Sequence, residues 1–147
     1  MKIILQKVTQ ASVTVNEQIV GQIGVGFLLL IGITHTDTTK TVDTMIDKIL
    51  KLRLFAEKGS TTFMEKNIVE AGGAILAVSQ FTLYGDCSKG TRPSFTKAAR
   101  PEVAKPLYDY MVAECSRRGI RTQTGLFGEH MEVSLINDGP ITLVIDI

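Results

Sequence analysis

Along the first third of the chain the apolar positions follow a period of two or run together in short blocks. Ile3 to Val8, Ser12 to Val15, Gln18 to Ile23 and Gly26 to Thr34 read as β-strands, and Ala11, Val13 and Val15 alternate with Ser12 and Thr14 as a half-buried strand requires. Asn16-Glu17 and Gly24-Val25-Gly26 are placed to make the hairpin connections. The period then changes. Val42, Met45, Ile46, Ile49, Leu50 and Leu54 recur at helical spacing, with Thr38 or Thr39 able to cap and Asp43 in the first turns. Val103, Leu107, Tyr108, Met111, Val112 and Cys115 repeat the pattern between Pro101 and Gly119. Pro106 fits that helix only in its first turn, where backbone donors have no intrahelical partner, so a start near Glu102 is expected. Ala74 to Tyr84 reads as a buried strand, and Met131 to Ile147 as two strands flanking Asn137-Asp138-Gly139-Pro140. No repeat interrupts the series, so residues 1–147 form one α+β domain.

Composition narrows the function more than the fold. With 16 basic and 15 acidic residues the net charge is +1, which excludes wrapping nucleic acid by bulk charge. Local clusters remain. Gly85 to Arg100 carries Lys89, Arg92, Lys97 and Arg100 against Asp86 alone, a net +3 in a segment rich in small turn residues, and Arg117, Arg118 and Arg121 follow further on. These can grip phosphates or can be a solvated face. The opening MKIILQKV is too short in its apolar run for a signal peptide, and the run from Val25 to Ile33 is shorter than the ~20 residues of a membrane span, so a cytoplasmic protein is expected. Cys87 and Cys115 have no CxxC spacing and are expected to be unpaired thiols.

The usual chemical handles are few. His35 and His130 are isolated, HExxH and GxSxG are absent, and no carboxylates cluster, so no metal and no serine triad is expected. GQIGVG joins two strands instead of opening a helix and reads as a turn. The stretch that stands apart is SQFTLYGD, Ser79 to Asp86, where an apolar strand becomes polar at its end. As a strand it puts Ser79, Phe81 and Leu83 on one face and Gln80, Thr82 and Tyr84 on the other. Either the strand delivers side chains to a site or it simply reaches solvent.

SQFTLYGD, followed by KGTRPSF (Lys89 to Phe95) and TGLFGEHMEVSLINDGPITL (Thr124 to Leu143), together with ASVTV and GGAILAVSQFTL, resembles the D-aminoacyl-tRNA deacylase family over nearly the whole chain. Three places depart from the family pattern: Lys7 stands where an arginine is expected, Met64-Glu65-Lys66-Asn67 replaces the usual MNxS, and Leu126 replaces an arginine in TGRF. Lysine lacks the planar two-pronged donor of arginine. The resemblance implies a mostly antiparallel, barrel-like sheet with two main helices, assembled as a homodimer. It implies that Gly139-Pro140 is a cis peptide reaching into the partner's site, where it excludes L-aminoacyl groups. Alone, those residues would equally make an ordinary Asn-Asp-Gly turn closed by proline.

The activity implied is hydrolysis of the ester of D-aminoacyl-tRNA, or of glycyl-tRNA, with Ser79, Gln80, Phe81 and Thr82 as catalytic residues. No base is placed by sequence to activate the Thr82 hydroxyl, which favours backbone N–H groups of Phe81 and Thr82 as oxyanion donors to an attacking water. Phe127 and Met131 are expected to pack the adenine, and Lys89 and Arg92 to hold the tRNA. Neither cofactor, membrane nor DNA is called for. The alternatives are a tRNA-binding module without chemistry and a plain dimeric scaffold.

Overall fold

The computed structural model describes residues 1–57, 59–60 and 64–147. Among the described residues six strands and two α-helices follow in the order β1 (Lys2–Val15), β2 (Gln18–Ile23), β3 (Gly26–Gly32), α1 (Thr39–Lys51), β4 (Ala74–Ser79), α2 (Pro101–Arg117), β5 (Arg121–Thr124) and β6 (Glu132–Asp146). β1 is a single strand of 14 residues where the pattern predicted two. Its first half pairs with β3, its second half with β2, and β6 runs antiparallel along almost its whole length. Parallel ladders then join β3 to β4 and β4 to β5, so the path β2-β1-β3-β4-β5 curls round. At Gly21 the ends of that path come so close that a Cβ would stand 2.3 Å from the Thr124 carbonyl oxygen. The result is a nearly closed, barrel-like sheet.

The turn after β1 explains the tight return: Asn16 and Glu17 both take positive φ, 48° and 65°, as a two-residue type I′ hairpin needs. β3 and β4 are apolar without interruption because both faces are covered. Phe27, Leu29, Ile31, Ile75 and Ala77 face α1 and α2, while Leu28, Leu76 and Val78 face the barrel interior with Val8, Val13 and Ile23. Each Val, Leu, Ile or Phe side chain among these, withdrawn fully from water, contributes about 1.5–3 kcal/mol.

α1 is capped as expected, Thr38 and Thr41 exchanging side chain to backbone hydrogen bonds. Leu54 lies beyond its end yet is buried. α2 begins at Pro101, so Pro106 sits in its second turn, one turn later than expected. The carbonyl that loses its partner is that of Glu102, and both residues are exposed, so water can take the place of the missing donor. Val103, assigned to the core by periodicity, is 43% exposed, and Ala104 is buried in its stead. Gly119 closes α2 at φ 83°, with Ile120 N–H bonded to Cys115 O and Gly119 N–H to Ser116 O. Cys87 is exposed and Cys115 buried, and neither is in a disulfide. Burial pushes the Cys115 thiol up to about 11.

Two buried charged side chains stand out. Asp37 bonds the Met1 ammonium (2.7 Å) and the Thr34 N–H (2.8 Å). Lys7 Nζ lies 2.8 Å from Asp138 Oδ2 and 5.3 Å from the centre of the Phe55 ring. The second pair belongs to the site region.

Candidate active site

The strand expected over Ala74 to Tyr84 stops at Ser79, and Phe81–Tyr84 form a turn of 3₁₀ helix. The last bond along β3 is from Gln80 N–H to Ile31 O, at 2.7 Å. Beyond it the chain folds on itself, Leu83 N–H bonding Gln80 O and Gly85 N–H bonding Thr82 O. The strict two-sided alternation read from the sequence therefore ends at Gln80. The turn has a chemical consequence, because the first amides of a 3₁₀ helix, here those of Phe81 and Thr82, have no acceptor within it.

Beside this turn lies a cavity of about 570 Å³. Ser79, Gln80 and Phe81 form one side, and Phe127 and Met131, from the loop joining β5 to β6, form the other. That loop is anchored at its start by Gly125 N–H on Ala77 O, an oxygen that also accepts from the Tyr108 hydroxyl at 2.8 Å. The Tyr108 and Phe127 rings stand 5.7 Å apart, which fixes the wall from behind. Five predicted residues are thus brought together. Thr82 is not part of the lining; its hydroxyl accepts from Gln80 Nε2, and a carboxamide is no base. The Tyr84 hydroxyl is held protonated, pushed up to about 12 by burial and then by Asp37 and Asp146.

Phe95, Arg100, Glu129 and His130 also line the cavity. All four lie in segments that stand out in the sequence, but no pattern there gives any of them a place in the site. The available signal was weak: Arg100 closes the basic segment, and His130 adjoins Met131. Lys89 and Arg92 lie apart from the cavity, exposed on the loop that precedes Phe95. Among the described residues no group of His, Cys, Asp and Glu is arranged to hold a metal.

Gly139 and Pro140 are joined by a cis bond and are exposed, outside the cavity of their own chain. They lie in a bulge of β6, which continues as one strand on both sides where two had been expected. Asn137 pairs with Val8 and Thr142 with Gln6, so residues 138–141 bow out opposite Lys7. Asn137 closes the neck of the bulge: its Nδ2 donates to Lys7 O and to Ile141 O, each at 2.9 Å. Lys7 Nζ holds Asp138 from beneath. Gly139 has φ 121°, a conformation open to glycine and strained for other residues. Lys7, one of the three departures, thus supplies a single charged contact to the bulge.

Comparison with known proteins bears on this arrangement. A family model described as D-Tyr-tRNA(Tyr) deacylase matches residues 4–146. The D-aminoacyl-tRNA deacylase of Brevibacillus brevis is 50% identical over 147 residues, covering 99% of both chains. That of Clostridioides difficile is 48% identical over 146 residues, covering 99% of this chain and 97% of its own. Among solved structures, one titled c-Myc DNA Unwinding Element Binding Protein superposes with a TM-score of 0.92 at 37% identity, over 100% of this chain and 99% of that one. A probable eukaryotic D-amino acid tRNA deacylase shares the fold, with a TM-score of 0.86 at 20% identity over 99% and 98%. A match that runs from the first strand to the last takes in the cavity, the 3₁₀ turn and the β6 bulge alike, and the chain belongs to the D-aminoacyl-tRNA deacylase family.

Proposed function

We propose that this protein hydrolyses the ester between a D-amino acid, or glycine, and the terminal adenosine of tRNA, as a cytoplasmic homodimer with shared sites. The observation that carries the reading is the cavity that ends on a 3₁₀ turn whose first two amides have no acceptor within it. An aminoacyl ester is already activated, so such a site can suffice. Water, helped by the neighbouring ribose hydroxyl of the substrate, adds to the ester carbonyl, the Phe81 and Thr82 N–H groups stabilise the oxyanion, and collapse breaks the bond to the ribose oxygen, which takes up the proton given up by the water as the free D-amino acid leaves. Ser79 and Gln80 orient the ester, and the adenine packs between Phe127 and Met131. Lys89 and Arg92 hold tRNA phosphates further out.

Chirality is read by exclusion. The Gly139-Pro140 backbone of a partner crowds the α-carbon from one side, so glycine and D side chains fit and L side chains meet main-chain atoms. Two features support this: Gly139 and Pro140 at the tip of the bulge are exposed, and β6 leaves Ile136 and Val144, 53% and 67% exposed, uncovered on either side of it. The rival reading, nucleic-acid binding without hydrolysis, rests on the basic loop alone.

A side-by-side assay of D-Tyr-tRNA, Gly-tRNA and L-Tyr-tRNA on the wild type and Thr82→Ala tests the proposal. Cleavage of the first two only is expected, with Thr82→Ala retaining substantial activity because alanine keeps the amide. Binding without cleavage selects the rival. Equal cleavage of D and L esters removes the exclusion mechanism, and a covalent aminoacyl-Thr82 adduct removes the amide mechanism.

A further inference from the structure

Phenylalanine is seldom left in water beside a pocket without an occupant, and here two are. Phe81 is 58% and Phe95 is 37% exposed, yet their rings meet edge to face, with centroids 5.1 Å apart and planes at 74°. Both line the mouth of the cavity. Their exposure does not come from a loose segment. Asp86 and Ser94 exchange two backbone hydrogen bonds, at 2.8 and 2.9 Å, which clamp the chain on either side of the basic loop. Further along, Thr96 O meets His35 Nε2 at 3.0 Å, Lys97 O accepts from the Thr34 hydroxyl at 2.6 Å, and Ala98 N–H bonds Phe95 O. A Cβ on Gly85 would come within 3.0 Å of the Phe95 ring, so the ring is seated against a residue with no side chain. The pair is held rigid with aromatic surface facing outward.

We propose that Phe81 and Phe95 form a stacking platform for the nucleobase next to the terminal adenosine of the acceptor strand. This rests on the reading of the cavity as the adenosine site. With the adenine between Phe127 and Met131, Arg100 and the aromatic pair, which line the same cavity, stand next to the adenosine and within reach of the nucleotide that precedes it. Lys89, Arg92 and Lys97 belong to the same segment as Phe95, with Asp86 the one opposing charge in it. A positive rim beside an exposed aromatic face is the combination that single-stranded ends use, charge following the backbone and rings taking bases whatever their identity.

The test separates stacking from everything else in the site. Binding of the trinucleotide 5′-CCA-3′ is compared with that of the same trinucleotide carrying an abasic middle residue, on wild type, Phe95→Tyr and Phe95→Leu. The wild type and Phe95→Tyr should prefer the intact trinucleotide by about tenfold or more, and Phe95→Leu, which fills similar space without a π face, should lose that preference. In hydrolysis, Phe95→Leu should raise KM for D-Tyr-tRNA by a similar factor, with less effect on the D-tyrosyl ester of adenosine, which lacks the stacked base. Equal losses on the two esters, or no preference for the intact trinucleotide in an active wild type, would overturn the platform. A shift of Phe95→Leu to a smaller sedimenting species would instead assign the pair to a subunit contact. Base-dependent trinucleotide binding by a wild type inactive on both esters would keep the platform and discard the hydrolase reading.

Discussion

The helix-covered face of the sheet and the rim of the cavity are built from the same residue types under opposite rules. Under α1 and α2, Phe27, Ile31, Met45, Ile49 and Ile75 are almost wholly withdrawn from water. At the rim, Phe81 and Phe95 stay in it while the backbone around them is tied down. Charges divide likewise. On the helices Arg118 is engaged by Asp43, Asp47 and Glu114, whereas Lys89 and Arg92 stand on an exposed loop. A region made for stability closes its apolar and ionic contacts internally; a region made to bind leaves them open on a rigid frame.

Substitution in the two regions should therefore separate stability from activity. Phe27→Ala removes a ring packed 5.2 Å from that of Phe55 and should cost about 3–5 kcal/mol, read as a lowered urea midpoint. Phe81→Ala should stay within about 0.5 kcal/mol of wild type in the same titration while weakening substrate binding. Similar stability losses at both positions would end the distinction.

This division also explains what was legible in the sequence. Periodicity reports burial, so both helices, the buried strand β4 and the hairpin at Asn16-Glu17 could be read from it. It carries no information about where a ladder is broken by tertiary pairing. The continuity of β1 through Thr9 and Gln10, both exposed, depends on its partner changing from β3 to β2. The bulge in β6 depends on Lys7 and Asn137, 130 positions apart. The 3₁₀ turn at Phe81 was missed because a polar strand end and a turn share the same residue types. Ser79, Gln80, Phe127 and Met131 were found through whole motifs; Glu129 and His130, inside one of those motifs, had no pattern of their own to mark them.

The bulge lies between the two regions, since its contacts are partly buried and its tip is open. Asn137→Ala would leave the Lys7 and Ile141 carbonyls without their donor, at about 1–3 kcal/mol. Lys7→Met would leave Asp138 unpaired; because Asp138 is 39% exposed, the loss should be nearer 1 kcal/mol than that of a fully buried pair. In both variants D-Tyr-tRNA cleavage should fall by more than the small rise in unfolded protein explains, since the bulge would lose its anchor with the core intact. Thermal melts alongside kcat/KM check this. Activity that tracks the unfolded fraction alone would make the anchor purely structural.

The smallest expected effect lies on the helix face, where pH exposes it. Hydrogen bonds from Arg117, and then from Arg118, hold the Glu114 carboxyl down at about 2 against an ordinary 4.5, although burial acts the other way. A carboxylate with a lowered folded value is stabilising while ionised. That contribution is complete above pH 4.5 and is lost as pH falls toward 2. Glu114→Gln should therefore be slightly less stable than wild type at pH 7 and converge with it in acid. The convergence should fall within that window in melts recorded from pH 7 to pH 2. Arg117 is exposed, so the difference at pH 7 should be modest and should shrink in high salt. Charge on the basic loop should respond to salt in a different observable if, as proposed, Lys89 and Arg92 hold the substrate's phosphates. Raising the ionic strength should increase KM for D-Tyr-tRNA much more than it lowers the melting temperature, and Glu114→Gln should leave that KM dependence unaltered while Lys89→Glu flattens it. If both substitutions altered the salt dependence of KM alike, the helix face and the rim would be one electrostatic unit and the contrast between them would fail.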